Sequence, residues 1–430
     1  MQRIIRAICG MLTVMVLAGC GGSDSPVSVV SECSLEGQQS TLYKIMHDAY
    51  LWYDKVPQLD YTAYEDLPDL LEALKYHTYD KWSYVTTQSS YDNYFEEGKY
   101  IGYGFSISYT AGDAYLKLVY KDSPAYRAGF RRGTEILEIN GLSVSEIASR
   151  QLWGSIYGER EVGVASRFKV IIEGEQKEIT LYKEEVTAYS VLHQSVLERA
   201  GKRIGYLVFN AFIEPSAAEL DAAFAAFQSA GIEELIVDLR YNRGGRVHIA
   251  QYLASLIAGE RAAGEIVASL NYNDRYTRWN EAYLFQKESH GLDLERVYMI
   301  TTEESCSASE LLINGLTPFV EVTLVGSRTC GKPVGMRGYS FCDKHLSPIQ
   351  FEVFNADNEG RYYDGLPVAC SVADDPKHRF GVSEEGMLAE VLYRMDTGHC
   401  STRDKKARRY PLKDRPTETL SGWQQQIGAI

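Results

Sequence analysis

Histidine is scarce, with eight in 430 residues, and none are paired at the HExxH spacing that marks a common class of zinc hydrolase. No metal site is expected. Positive charge is also short. Lys and Arg number 44 against 58 Asp and Glu, giving a formal charge of −14, and so acidic a body disfavours nucleic acid as a partner. Long apolar runs are nearly absent: the one near the start, from Ala7 to Ala18, falls short of the about 20 residues that a membrane span needs. A phosphate-cradling loop is missing by one position. In GSRTCGKP, residues 326–333, Pro333 stands where that motif needs a magnesium-binding hydroxyl and the start of a helix.

What is present describes a globular chain, 45% apolar and 24% charged, long enough for two to three domains. Arg3 and Arg6 precede the short apolar run, and LeuAlaGlyCys closes it at Cys20. That is the grammar of a secretory leader. Its end resembles a bacterial lipobox, which implies cleavage before Cys20 and its lipidation, hence a lipid-anchored place in the cell envelope. Without the leader the charge becomes −16, because Arg3 and Arg6 go with it. Cys9 and Cys20 belong to the leader, and the remaining six cysteines allow 15 full pairings. In an oxidising compartment Cys342 with Cys370 is the expected local bridge, and Cys306 with Cys330 would tie two motifs described next.

The first motif is Ser305–Lys332. Ser307 opens an apolar segment, Leu311, Leu312, Ile313 and Leu316, that reads as a helix; Val320, Val322, Leu324 and Val325 read as a buried strand ending at Gly326. A helix folded back on its strand returns the following turn to the helix start, so Ser307 and Lys332 can meet although 25 positions apart. Taken alone, Ser307 and Glu310 form only a capping box. The second motif follows a short apolar strand at 234–237: AspLeuArgTyrAsnArgGlyGly, 238–245, precedes a helical pattern from Val247 to Ala258. Paired glycines there let bare backbone approach a substrate closely. His248, just beyond them, is the alternative base for a conventional triad.

Together VDLRYNRGG, CSASE and the GK 25 residues after the serine resemble the C-terminal processing, or tail-specific, serine peptidases. The resemblance implies a nucleophile at Ser307, a general base at Lys332 and oxyanion donors on the backbone of Gly244 or Gly245 and of Ala308. It also implies a crotonase-like α/β peptidase core and no cofactor. Many members carry a glutamine four residues after the lysine; here that position is Met336. The chemistry stands without the family: serine needs a base, and lysine serves only as the neutral amine. Neutrality at pH 7 asks for a shift of roughly 3.4 units, within the about 3 to 5 that burial provides. Val334 and Met336 can supply the apolar surroundings.

The chain therefore divides into a leader, 1–19; a tether, 20–38; an aromatic helical segment, 39–94; a PDZ-like β domain, 95–186; the peptidase core, 187–400; and a locally basic tail, 401–430. Tyr50, Leu51, Trp52 and Trp82 read as core of the helical segment. The 95–186 unit resembles a PDZ domain, which implies that Gly102, Tyr103, Gly104 and Phe105 form the loop that holds a peptide's terminal carboxylate while the peptide adds as a strand. The expected activity is a serine endopeptidase acting on proteins or peptides through a free C-terminus. The alternative is a silent lipoprotein adaptor that only binds peptide tails.

Overall fold

The structure, a computed structural model, describes residues 32–402; the expected leader with Cys20, and nearly all of the basic tail, lie outside the described residues. The α/β fold class is as the sequence predicts. A six-stranded sheet forms its centre, in the order Val191–Arg199, Lys202–Phe209, Glu234–Asp238, Arg296–Thr301, Glu321–Gly326 and Cys370–Ser371. The first pair is antiparallel and every later pairing is parallel.

Alternation along these strands feeds two cores. Leu207, Leu235, Val237, Val297, Met299 and Leu324 face helices Ser216–Ala230, Val247–Ala258 and Ala308–Leu316. Their neighbours Tyr206, Ile236, Tyr298, Ile300 and Val325 face helix Gly386–Thr397. Parallel strands buried on both faces read as continuous apolar runs, which is why ELIVD and RVYMIT show no polar alternation. Parallel order also delivers the C-terminal ends of 234–238 and 296–301 to one edge of the sheet, where the turns carrying Gly244, Gly245 and Ser307 begin.

Helices Leu35–Asp48 and Leu67–Leu74 pack with Val334, Leu346 and Ile349 in a separate core, so the N-terminal segment is built onto the strand that follows Lys332. The inserted β domain hangs on a two-stranded ribbon, Lys99–Gly102 paired with Glu184–Thr187. Its sheet begins at the edge with Phe105–Thr110, around a core of Phe105, Leu116, Phe130, Ile136 and Phe168. The turn at Asn140 and Gly141, both at positive φ, joins its strands 135–139 and 142–143.

One expected disulfide is wrong. Cys342 pairs with Cys33 and Cys370 with Cys400, while Cys306–Cys330 forms as expected. Cys342 sits at the tip of the 339–347 hairpin beside the N-terminal helix, whereas Cys370 lies at the edge of the central sheet near the end of the last helix. Closeness in sequence misled, because the two cysteines serve different cores.

Buried charge joins the insert to the core. Arg240, 1% exposed, donates to Asp238, Asp374 and Glu385 at 2.7, 2.8 and 2.6 Å. From the insert, Arg132 donates to Tyr241 Oη at 2.6 Å and to Asp374 at 3.3 Å. Burial raises the Asp374 pKa, but Arg132 and Arg240 overcome it and hold the carboxyl at about 2. A depressed carboxylate contributes stability above its unfolded pKa and loses it as pH falls through the folded value. Asp374→Asn should therefore cost about 3 kcal/mol at pH 7, and the gap to wild type should narrow in urea melts taken at pH 3.

Candidate active site

Ser307 sits immediately before helix Ala308–Leu316 with φ 55° and ψ −111°, a conformation costly for a residue with a side chain. Its surroundings impose it. Asn242 O accepts from Cys306 N at 3.0 Å and from Ser309 Oγ at 2.9 Å; Asn242 Nδ2 in turn donates to Phe209 O at 3.0 Å. The glycine turn thus carries the serine loop on its back. The apolar face of the serine helix, with Leu311, Leu312 and Leu316, locks it against the central core.

Glu310, fully buried, does more than cap. Its Oε2 accepts from Ser307 N at 3.0 Å and from Lys332 N at 2.8 Å. Its Oε1 accepts from Gly331 N at 2.8 Å and from Thr329 Oγ1 at 2.5 Å. Two amides bound to one oxygen cannot lie further apart than the two bonds laid end to end, so the serine and lysine backbones are neighbours. The Cys306–Cys330 bridge, with Cα atoms 5.2 Å apart, repeats the tie one residue before the serine and two before the lysine.

Lys332 is 4% exposed. Its Nζ lies 3.8 Å from Met336 Sδ and 5.7 Å from the centre of the Trp82 ring. Burial pulls its pKa down to about 8, against the opposing pull of Asp80 and Glu310. Roughly one lysine in ten is then the neutral amine at pH 7, as a base requires. Met336, at the position where a glutamine was expected, offers only a soft, weak acceptor.

Gly244, at φ 100°, lies against the serine: a methyl group there would come within 2.8 Å of Ser307 Cβ and 2.9 Å of Ala308 N. The missing side chain leaves space in front of the first amide of the helix, which carries the positive end of the helix dipole. Of the paired glycines, Gly244 has its N–H taken by Asn242 Oδ1 at 2.9 Å. Gly245, at φ 140°, backs onto Phe212 O.

His248 is turned elsewhere, with Nε2 3.1 Å from Glu214 Oε2 on an exposed helix start. Gly102, Tyr103, Gly104 and Phe105 are all buried, the two aromatic side chains within the core of the inserted domain. Gly104 O accepts from Tyr120 N at 2.8 Å and Tyr103 O from Ala125 N at 3.0 Å. The adjoining strand 105–110 pairs on one side only, among the described residues. Sequence reasoning missed Asp80 and missed Trp82 as a neighbour of the lysine, because an aromatic helical segment 250 positions upstream carries no local sign of chemistry. Among the described residues, no helix is long and apolar enough to cross a membrane.

Residues 203–361 match the sequence profile of Peptidase family S41, and residues 37–84 match the Peptidase S41 N-terminal domain. An S41 protease structure from Bacteroides fragilis NCTC 9343 superimposes with a TM-score of 0.69 at 24% identity, over 83% of this chain and 97% of that one. The photosystem II D1 C-terminal processing protease does so with a TM-score of 0.52 at 16% identity, over 82% and 96%. These likenesses establish a shared fold. In sequence, a "Probable CtpA-like serine protease" of Staphylococcus aureus (strain bovine RF122 / ET3-1) is 24% identical over 341 residues, 79% of this chain and 64% of that protein. The chain thus spans just under two thirds of this curated relative's length. The fold, both profiles and the serine loop agree in likening the chain to peptidase family S41, the C-terminal processing peptidases.

The position of the Cys306–Cys330 bridge generates a test. Replacing both cysteines with alanine removes a tie closing a 24-residue separation and should lower stability by about 3 kcal/mol. Loosening serine against lysine should also reduce any peptidase rate roughly tenfold. Urea melts and cleavage rates measured side by side check both, and an unchanged rate would leave Glu310 as the sufficient tie.

Proposed function

We propose that the chain is a serine endopeptidase of the C-terminal processing type, with Ser307 as nucleophile and Lys332 as general base. The observation carrying this reading is the shared Glu310 carboxylate, which holds the amides of Ser307 and of a buried, readily deprotonated lysine on one oxygen. The neutral Lys332 amine takes the proton from Ser307 Oγ as that oxygen bonds to the scissile carbonyl carbon. The Ala308 amide, with one glycine of the 244–245 pair, receives the developing oxyanion. The lysine ammonium then returns its proton to the departing amine, leaving an acyl-serine. Water, deprotonated by the same lysine, releases the acyl group and restores Ser307.

The inserted domain would select substrates by a free, apolar C-terminus. Support for this comes from the one-sided pairing of strand 105–110 directly after Gly102–Phe105: an unpaired sheet edge accepts an extended peptide. Because Tyr103 and Phe105 are core residues, the backbone of the loop, and not its side chains, would meet the carboxylate. Three disulfides and the leader ending at Cys20 favour an extracytoplasmic, lipid-anchored protein of the bacterial envelope. No cofactor is needed for the chemistry.

An unfolded reporter protein ending in a free apolar tail should be cut by the wild type and left whole by Ser307→Ala and Lys332→Ala. The wild-type kcat/KM should rise with pH through a midpoint near 8, the value that burial gives Lys332. Amidating the reporter's C-terminus should raise KM. If all three proteins bind the tail and none cuts, the chain is an adaptor and the enzymatic reading falls.

A further inference from the structure

In the absence of a glutamine beside the lysine, the site holds another polar group, and it comes from outside the peptidase core. Asp80 is buried, 2% exposed, in the turn that follows the N-terminal helices. Its Oδ1 accepts from the amides of Trp82 and Ser83 at 2.9 and 2.8 Å. Its Oδ2 accepts from Tyr50 Oη at 2.7 Å, and the same hydroxyl oxygen accepts from Tyr76 N at 3.1 Å. Three donors, one of them itself held by Tyr76 N, therefore fix the carboxylate in place, and none of the three is a cation.

That carboxylate is linked to the surroundings of the lysine by two chains of contact. The first runs through Trp82, whose amide is held by Asp80 and whose ring faces Lys332 Nζ at 5.7 Å. The second runs through Ser83, whose Oγ accepts from Ile349 N at 3.0 Å. Ile349 is the strand partner of Met336, and Met336 Sδ lies 3.8 Å from Nζ. Trp82 and Met336 stand beside the amine as uncharged neighbours, and two carboxylates, Asp80 and Glu310, act on its charge. Glu310 is committed to Ser307, Gly331 and Lys332 amides and to Thr329. Of the two, Asp80 exerts the stronger pull on the lysine's charge.

Resting on the serine peptidase reading above, we infer that Asp80 is the positioning residue for Lys332: it supplies the counter-charge for the ammonium that forms when the lysine takes the serine proton. The N-terminal domain is then a working part of the active site, completing it with the charge that Met336 lacks. Asp80 touches neither substrate nor the reacting atoms. It acts through the lysine, raising the pH at which the amine becomes free while stabilising the cation after proton transfer.

The test reads Lys332 in two ways. Cleavage of the free-tailed reporter is followed against pH in wild type and Asp80→Asn; in a Ser307→Ala background, labelling of Lys332 by a small amine-reactive reagent is followed against pH by mass spectrometry. Asn preserves an acceptor for both amides but carries no charge. Asp80→Asn should move the midpoint of both profiles down by about one pH unit and lower the plateau kcat roughly tenfold, with KM unchanged. Tyr50→Phe keeps the charge and removes a donor that shares it, so its midpoint should rise above that of wild type. An unmoved midpoint in Asp80→Asn, or a Tyr50→Phe midpoint that does not rise, overturns the inference. If wild type fails to cleave yet the labelling midpoint moves as described, Asp80 keeps its role and the peptidase assignment falls instead. Should Asp80→Asn not fold, the direction of the Tyr50→Phe shift decides: upward supports the inference, downward or none overturns it.

Discussion

Glu310 is the constraint on which the site depends. A buried carboxylate is costly unless its oxygens are satisfied by donors, and here every donor comes from one of the two loops that have to meet: Ser307 from one, Thr329, Gly331 and Lys332 from the other. Satisfying that single side chain therefore brings the serine and the lysine together. The sequence pattern of Ser307 and Glu310 looks like a helix cap and includes one, since the Glu310 side chain does accept from the Ser307 amide. The same group reaches past the helix start to the lysine turn. Local capping and long-range assembly are here one hydrogen-bonded unit.

Around that unit the fold divides its labour among three bodies. The central sheet presents the Gly244–Gly245 turn and the serine loop at one edge, stacked through Asn242. The N-terminal segment closes over the lysine from the other side, its core continuous with Val334 and Ile349. The inserted domain meets the core through Lys117, which donates to Glu304 at 2.6 Å, and through Arg132. Glu304, three residues before the serine, also accepts from Arg243 at 3.0 Å. Charge pairs thus run from the insert to the serine loop and the glycine turn, and the burial of Lys332 is an outcome of packing between bodies rather than of any one motif.

Much of this was legible in the sequence, for identifiable reasons. The strand at 321–326, the helix from Val247 to Ala258 and the helix after Ser307 follow from apolar periodicity that tertiary packing reinforces. The approach of the Ser307 and Lys332 backbones follows from a helix that runs away from the serine and a strand that returns toward the lysine turn. What could not be read depends on distance along the chain. The pairing of Cys33 with Cys342 spans 309 positions, and Trp82 reaches Lys332 from the N-terminal segment. Gly102–Phe105 reads as an open peptide-holding loop, yet its side chains proved to be core, because the pattern that marks such loops also marks a tight turn between buried aromatics. In each case the sequence supplied residue types, and only packing decided their neighbours.

The central claim is that Ser307 is made nucleophilic by a lysine whose burial frees its amine near neutral pH. Its most direct test is the rate at which a fluorophosphonate labels Ser307, followed by mass spectrometry of the intact protein across pH 6 to 10. The account predicts labelling at Ser307 alone, rising through a midpoint near 8, the value to which burial lowers Lys332, and abolished in Lys332→Ala. Labelling that persists at the same rate in Lys332→Ala, or a folded wild type that does not react at any pH, would contradict it.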